Sequence, residues 1–327
     1  MKKIKIKKSF MQFLIVLTIL FIFIPEVYAF ANGTFVWGDT RNPGLLNATN
    51  YTFQSTIGLP AYGSNLATVS QTINWTKIVA STQRKEKVAA HLKGDGSLHI
   101  LNCSNGCGEN DWTYIGNLTI AASDSTKRGF DLVSLSSGDI MAVFANGTKT
   151  DKVYYCIWNG SVWYPGTNCG PNFLPNGGNE INVSRVGIPY WLEMAERNNK
   201  ILLGVAGSTG FAVSVWDGTK WNSNYTITAS ALGSTAQPSF GIAWENGTGD
   251  GLVLYDLSGG TAGVINYRKF NGTTSTWSTS DQVGPDTGGG NNHWIDMSSD
   301  PVSNRIAIGV ADSETDAHLY IWKTNNL

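Results

Sequence analysis

The chain has 327 residues, a formal net charge of −1 and only 14% charged residues. A balance this close to zero provides no basic surface for nucleic acid and no attraction to an anionic membrane, so we expect neither partner. Low charge, 37 glycines and many short alternating apolar runs are typical of an all-β domain rich in turns.

The first 29 residues have the pattern of a secretory signal peptide. Five lysines among the first eight residues precede an apolar stretch at 10–24, and Val27-Tyr-Ala29 offers small residues for cleavage. We therefore expect residues 30–327 to be secreted or held at the cell surface, with no membrane insertion after cleavage. A retained anchor is the alternative, although the apolar stretch is shorter than the ~20 residues that span a bilayer.

Cysteine and asparagine patterns agree with export. The four cysteines, Cys103, Cys107, Cys156 and Cys169, favour two disulfides in an oxidising compartment. The preferred pairing is local, Cys103 with Cys107 and Cys156 with Cys169, although sequence cannot choose among the possible connectivities. Twelve Asn-x-Ser/Thr sequons are typical of a glycoprotein. We expect no metal and no cofactor, because no Cys-x-x-Cys occurs and the four histidines are scattered.

An aromatic hairpin phrase recurs along the chain. Its Asn-Gly or Asp-Gly pair predicts a tight β-turn, because both residues accept positive φ at low cost. A repeat of roughly 55 residues is typical of propeller blades. The three copies are Trp158-Asn-Gly-Ser-Val-Trp163, Trp216-Asp-Gly-Thr-Lys-Trp221 and Phe270-Asn-Gly-Thr-Thr-Ser-Thr-Trp277.

Each repeat reads as four strands, A to D, which in the second unit are 130–134, 139–144, 153–158 and 162–164. The fifth unit begins at Trp294 and stops at Trp322 without strand D, and Gly33-Thr-Phe-Val-Trp37 resembles the missing strand. We predict one β-propeller over residues 30–327, with five four-stranded blades and a last blade closed by the N-terminal strand. A sixth blade at 43–71 is the alternative.

The Trp-Asn/Asp-Gly-x-x-Trp hairpins, each preceded by an A strand such as Trp294-Ile-Asp-Met297, resemble the tryptophan-rich propeller repeats of secreted and cell-surface prokaryotic proteins. The resemblance covers nearly the whole mature chain and implies the fold and the surface location. It brings no settled activity, so no functional residue carries over from it.

Equivalent A-strand positions carry the acids that could do chemistry. Glu193 and Asp296 occupy matching places, and Asp131 lies nearby in the second unit. Glycosidases need two carboxylates about 5–9.5 Å apart across a site, which the A strands of a propeller could supply. Glu193 and Asp296 are therefore the candidate catalytic pair. Alternatively, such acids face a wet pore or bind the backbone of a neighbouring blade.

The other candidate ligand-binding residues lie on a rim. The repeat assigns every tryptophan except Trp244 to core positions, and the glycine-rich linker at 281–293 supplies Asn291, Asn292 and His293. We predict a monomeric recognition module that binds glycan, with Asp131 contributing. The alternatives are a glycoside-cleaving enzyme and an envelope or adhesion component that binds protein.

Overall fold

The structure, a computed structural model, describes residues 73–323 with gaps at 105–106, 108–110, 120–125, 148–149, 166–168, 170–177, 229, 233–236, 258–262, 288–291 and 313–316. All of these residues belong to one compact unit, Leu45–Leu327. The described residues contain no helix that is long and apolar enough to cross a membrane. The predicted signal peptide and the predicted strand at 33–37 lie outside the described residues.

The described residues form five antiparallel sheets, and in each sheet the first three or four strands pair consecutively in chain order. Sheet 1 contains β1 (Ile73–Ala80), β2 (Lys87–Lys93), β3 (Ser97–Cys103) and β4 (Thr113–Thr119). Sheet 2 contains β5 (Phe130–Ser134), β6 (Ile140–Ala145), β7 (Lys152–Trp158), β8 (Trp163–Tyr164) and β9 (Asn179–Asn182). Sheet 3 contains β10 (Pro189–Arg197), β11 (Lys200–Gly207), β12 (Phe211–Trp216) and β13 (Trp221–Thr228).

Sheet 4 contains β14 (Phe240–Trp244), β15 (Gly251–Tyr255), β16 (Val264–Asn271), β17 (Thr276–Trp277) and β18 (Gln282–Asp286). Sheet 5 contains β19 (Asn292–Ser299), β20 (Arg305–Asp312) and β21 (Ala317–Lys323). The all-β class and the four-strand repeat of the second, third and fourth units are therefore confirmed.

The first strand of each sheet contacts the first strand of the next, from β1 through β5, β10 and β14 to β19. Backbone hydrogen bonds join some of them, from Leu192 N–H to Arg128 O and from Ile295 N–H to Pro238 O, both 3.2 Å. Meanders packed along their inner strands in this way are typical of propeller blades. The described residues do not join sheets 1 and 5 by a comparable contact.

The hairpins differ from the prediction in how the turn is made. In the first two copies only the glycine has positive φ, 97° at Gly160 and 106° at Gly218, whereas in the third copy Ser275 has it, at 56°. The preceding polar side chain instead closes the loop, because Asn159 Oδ1 accepts the N–H groups of Ser161 and Val162, both at 2.9 Å. Asn159 N–H also donates to Val162 O at 3.2 Å, so the tight loop consists of the two residues between them, and the Asn159 side chain closes it as an Asx-type turn.

The repeated aromatics pack as the repeat predicts. Trp158 and Trp163 are direct register partners with ring centroids 5.4 Å apart, rather than diagonal neighbours. Trp216 and Trp221 pair in the same way at 5.6 Å. These four rings belong to the hydrophobic core or pack against it, so the hairpin tryptophans are structural.

Buried carboxylates join neighbouring sheets through tryptophan. Glu86, between β1 and β2, accepts the indole N–H of Trp158 at 2.7 Å. Glu245, after β14, accepts the indole N–H of Trp322. Both carboxylates are at most 4% exposed, and each lies in the sheet that precedes the sheet of its tryptophan, so the contact fixes the two sheets together.

Two linkers predicted as loops contain a strand. The fourth strands β8 and β17 are only two residues long, which leaves the third strand of each sheet partly unpaired. Strands β9 and β18 pair with the remainder of β7 and β16. Both predicted disulfides are present, Cys103–Cys107 and Cys156–Cys169, and the second ties β7 to the linker that precedes β9.

Candidate functional site

The first strands of sheets 1, 3 and 5 share a pattern in which a charged side chain follows a tryptophan by two residues. A β-bulge precedes the tryptophan in all three strands, so their registers correspond. Residues two apart lie on the same face of a strand, and each charged group therefore shares the face of its tryptophan. The pairs are Trp75 with Lys77, Trp191 with Glu193, and Trp294 with Asp296.

Charged side chains surround the Glu193 carboxyl group. Burial raises the pKa of Glu193 to about 8; the negative charges of Asp296 and Asp131 also raise it, whereas Arg128 and Lys77 lower it. We call these five residues the inner-strand site. Direct contacts join Lys77, Asp131 and Arg128 to one another or to strand β10. Asp296 is included because its charge acts on Glu193. The predicted carboxylate pair, Glu193 and Asp296, is part of it.

Glu193 and Asp296 are the accessible acids of the inner-strand site. Glu193 is half-buried, and its carboxyl group makes no hydrogen bond to any residue that the structure describes. Asp296 is exposed and accepts only the backbone N–H of Met297 among described residues, at 3.0 Å. With a pKa of about 8, Glu193 is mostly protonated at neutral pH, so it donates a hydrogen bond where Asp296 accepts one.

Asp131, predicted as a ligand-binding residue, makes contacts within the protein. Its side chain is fully buried; Oδ2 accepts the backbone N–H of Met194 at 2.7 Å, and Oδ1 lies 3.3 Å from Lys77 Nζ. Because Met194 belongs to the next sheet, Asp131 bridges the two inner strands. This is the alternative in which an acid binds a neighbouring blade's backbone.

Arg128 brings a second buried cation to the inner-strand site. It is 5% exposed, and its Nη2 donates to Leu192 O at 3.0 Å. Its Nε has no hydrogen-bond partner among the described residues. An unsatisfied guanidinium donor costs free energy when it is buried, and a ligand oxygen that reached it would recover that cost.

The tryptophans of the pattern form an aromatic layer beside the charged one. Trp75 of sheet 1 meets Trp191 of sheet 3 edge-on, with ring centroids 5.2 Å apart, and the Trp75 indole donates to Thr126 O at 2.9 Å. Both rings are at most 5% exposed. Trp294 is only half-buried, and among these three rings it is the one that a ligand could stack on.

Trp244, predicted as a ligand-binding residue, is 1% exposed, and its indole N–H donates to Ala195 O at 2.9 Å. It packs sheet 4 onto sheet 3 and is therefore a core residue. Asn292 and His293 belong to strand β19 rather than to a rim loop, and their side chains lie outside the described set. Asn291 also lies outside it.

Sequence reasoning missed Lys77 and Arg128. The sequence does indicate Lys77, because Trp75-Thr-Lys77 aligns with Trp191-Leu-Glu193 when a charged residue of either sign is accepted at the third position. Arg128 precedes strand β5 and has no charged counterpart in sheet 4, where Pro238 stands at the same position and its carbonyl oxygen accepts the equivalent hydrogen bond from Ile295 N–H. Only the packing of β5 against β10 places it beside Glu193.

No protein-family model and no curated protein matches this chain. Among solved structures, the fucose-specific lectin from Aleuria aurantia is 13% identical over 76% of this chain and 75% of its own, with a TM-score of 0.44. A mutant of AofleA from Arthrobotrys oligospora is 11% identical over 76% and 69%, with a TM-score of 0.48. An α-L-arabinofuranosidase from Fusarium graminearum is 12% identical over 76% and 76%, with a TM-score of 0.43. Similarity at this level carries no argument about what this chain binds.

Proposed function

We propose that this chain is an exported β-propeller that recognises glycans at the inner-strand site. The five sheets act as blades, and their inner strands bring polar side chains from different parts of the chain to one place. The disulfides and the sequons support a location outside the cell or at its surface.

The observation that carries the proposal is that two acids, Glu193 and Asp296, occupy matching positions of their strands, and that Glu193 is held protonated. Glu193 and Asp296 lack side-chain partners within the described residues, yet they influence each other electrostatically. A vicinal pair of sugar hydroxyls accepts one hydrogen bond and donates another, and therefore matches this pair. The half-buried ring of Trp294 on the same strand face as Asp296 provides an apolar surface for the sugar ring.

The test is glycan-array binding, followed by titration of any hit with purified 30–327. Asp296→Asn and Glu193→Ala should each weaken binding roughly 10-fold or more, because a hydrogen bond to a charged group contributes about 1.5–3 kcal/mol. Glu180→Gln is the matched control, since Glu180 is exposed, pairs with Lys152 and lies in a different sheet. Absence of any glycan binding, or equal loss in the control, would contradict the proposal and favour a protein partner.

A glycoside-cleaving enzyme is the second candidate, and the raised pKa of Glu193 favours it. A carboxyl group that stays protonated at neutral pH can act as a general acid, while Asp296 acts as base or nucleophile. Release of reducing ends from a bound glycan would separate the two functions. A glycosidase predicts that Glu193→Gln keeps binding and stops release; a recognition module predicts no release from either protein.

A further inference from the structure

Three Asn-Gly-Ser/Thr sequons lie wholly within the described residues, and the fold places them differently. Asn159 and Asn271 stand where the third strand of a sheet turns into the fourth, and both are exposed. Asn246 stands between the first and second strands of sheet 4 and is half-buried. N-glycosylation attaches a bulky sugar to the side-chain nitrogen of such an asparagine. The surroundings of that nitrogen therefore decide whether the folded protein can carry the sugar.

The two hairpin asparagines use their side-chain oxygen and leave the nitrogen accessible. Asn271 Oδ1 accepts the backbone N–H groups of Thr273 and Thr274 at 2.9 and 2.8 Å, as Asn159 Oδ1 does in its own loop. Neither Nδ2 makes a hydrogen bond to a residue that the structure describes. Each side chain is thus held in one orientation with its amide nitrogen free to react.

The hydroxyl group of each hairpin sequon is accessible as well. Ser161 and Thr273, the third residues of the two sequons, are exposed. Their hydroxyl groups make no hydrogen bond within the part of the chain that the structure describes. A glycosyltransferase recognises the asparagine together with this Ser or Thr. Both groups that define the sequon are therefore available at the tips of the two hairpins.

Both groups of the Asn246 sequon are engaged inside the protein. Asn246 Nδ2 donates to Asp300 O at 2.6 Å. The Thr248 hydroxyl donates to the buried carboxylate of Glu245 at 2.6 Å, and Thr248 N–H donates to Asn304 Oδ1 at 3.0 Å. Asp300 and Asn304 belong to the turn of sheet 5 that packs on this loop. A sugar on Asn246 would displace that turn.

We propose that the exported protein carries N-linked glycans on Asn159 and Asn271 and none on Asn246. The donor is a lipid-linked oligosaccharide phosphate. A bond forms between asparagine Nδ2 and the anomeric carbon of the sugar as the bond from that carbon to the phosphate oxygen breaks. The lipid phosphate leaves with the electron pair, and the amide loses one proton to a base of the transferase.

The assignment requires the export proposed above and does not depend on glycan recognition. The two hairpins join third and fourth strands, whereas the inner-strand site lies on the first strands and directly before β5. Sugars on the hairpins therefore belong to a different part of each sheet from the inner-strand site.

Glycopeptide mass spectrometry of the exported protein, purified from the cells that make it, tests the assignment. Asn246 and Asn271 are matched sites, because both stand in the tripeptide Asn-Gly-Thr. Peptides that contain Asn159 or Asn271 should carry the added mass of an oligosaccharide, and the peptide that contains Asn246 should not. Equal modification at Asn246 and Asn271, or no sugar on Asn159 and Asn271, would overturn the proposal.

A pair of neighbouring substitutions sharpens the test. Thr273→Ala removes the sequon hydroxyl and keeps the backbone N–H, so it should abolish the sugar on Asn271 and leave the sugar on Asn159. Thr274→Ala is the matched control, since Thr274 lies outside the sequon and its N–H still closes the turn. A sugar on Asn271 in Thr273→Ala, or its loss in Thr274→Ala, would contradict the assignment. Glycan-array binding of the same preparations reports on recognition separately.

Discussion

Sheets 3 and 5 are built from nearly the same sequence and differ in what surrounds them. Strand β11, Ile-Leu-Leu-Gly-Val-Ala after Lys200, is buried along both faces except at that lysine. Strand β20, Ile-Ala-Ile-Gly-Val-Ala after Arg305, is buried on alternate residues only. The comparison shows that the repeat specifies the sheet, whereas packing against neighbours decides which faces are covered.

The largest expected difference concerns the residue that follows the first isoleucine in each strand. Leu202 is fully buried between sheets, and Ala307 is its half-buried counterpart. Leu202→Ala should cost about 2–5 kcal/mol of unfolding free energy, because it leaves a cavity. Ala307→Leu should change stability by less than about 1 kcal/mol, and urea denaturation measures both. Equal losses would mean that the two faces are equally packed.

The equivalent glycines sharpen the comparison. A Cβ at Gly204 would lie 2.6 Å from the Phe240 ring, whereas a Cβ at Gly309 would meet no atom nearer than Asp296 O at 4.0 Å. Gly204→Ala should cost about 1–3 kcal/mol through overpacking. Gly309→Ala should lie within about 0.5 kcal/mol of the wild type in thermal unfolding. A large loss of stability in Gly309→Ala would contradict the difference between the two sheets.

The buried face of sheet 5 depends on Trp322, whose indole N–H satisfies buried Glu245. Trp322→Phe should cost about 1–3 kcal/mol, because it removes a donor from a buried carboxylate. Trp158→Phe is the matched change. There Glu86 keeps Arg84 and Asn102 as donors, whereas Glu245 keeps only the Thr248 hydroxyl among the described residues, so the loss at Trp158 should be smaller. Chemical denaturation measures both losses of stability. A larger loss for Trp158→Phe than for Trp322→Phe would contradict this prediction.

A separate prediction is a pH dependence that originates in sheet 3. The pKa of Glu193 rises from 4.5 to about 8 on folding, so the folded protein binds the proton more tightly. Its contribution to stability is fully present below pH 4.5 and is lost as pH rises towards 8. The Tm difference between Glu193→Gln and the wild type should therefore increase over this range, and Glu180→Gln should show no such trend.

The sequence predicts much of the fold because the signals are local. Alternating strands, Asn-Gly loops and paired aromatics such as Trp158 and Trp163 depend on near neighbours. The site was predictable only for Glu193 and Asp296, which stand in matching repeat positions. The burial of Asp131 and Trp244 and the approach of Arg128 depend on contacts between sheets, and no single repeat contains that information.

The most direct measurement of the inner-strand site is an NMR titration of the Glu193 side-chain carboxyl carbon in the wild type and in Asp296→Asn. The account predicts a midpoint near pH 8 in the wild type, a lower midpoint without the Asp296 charge, and a further shift when a bound glycan engages the carboxyl group. A midpoint near the ordinary value of 4.5 that Asp296→Asn leaves unchanged would contradict the site, and with it the function proposed for it.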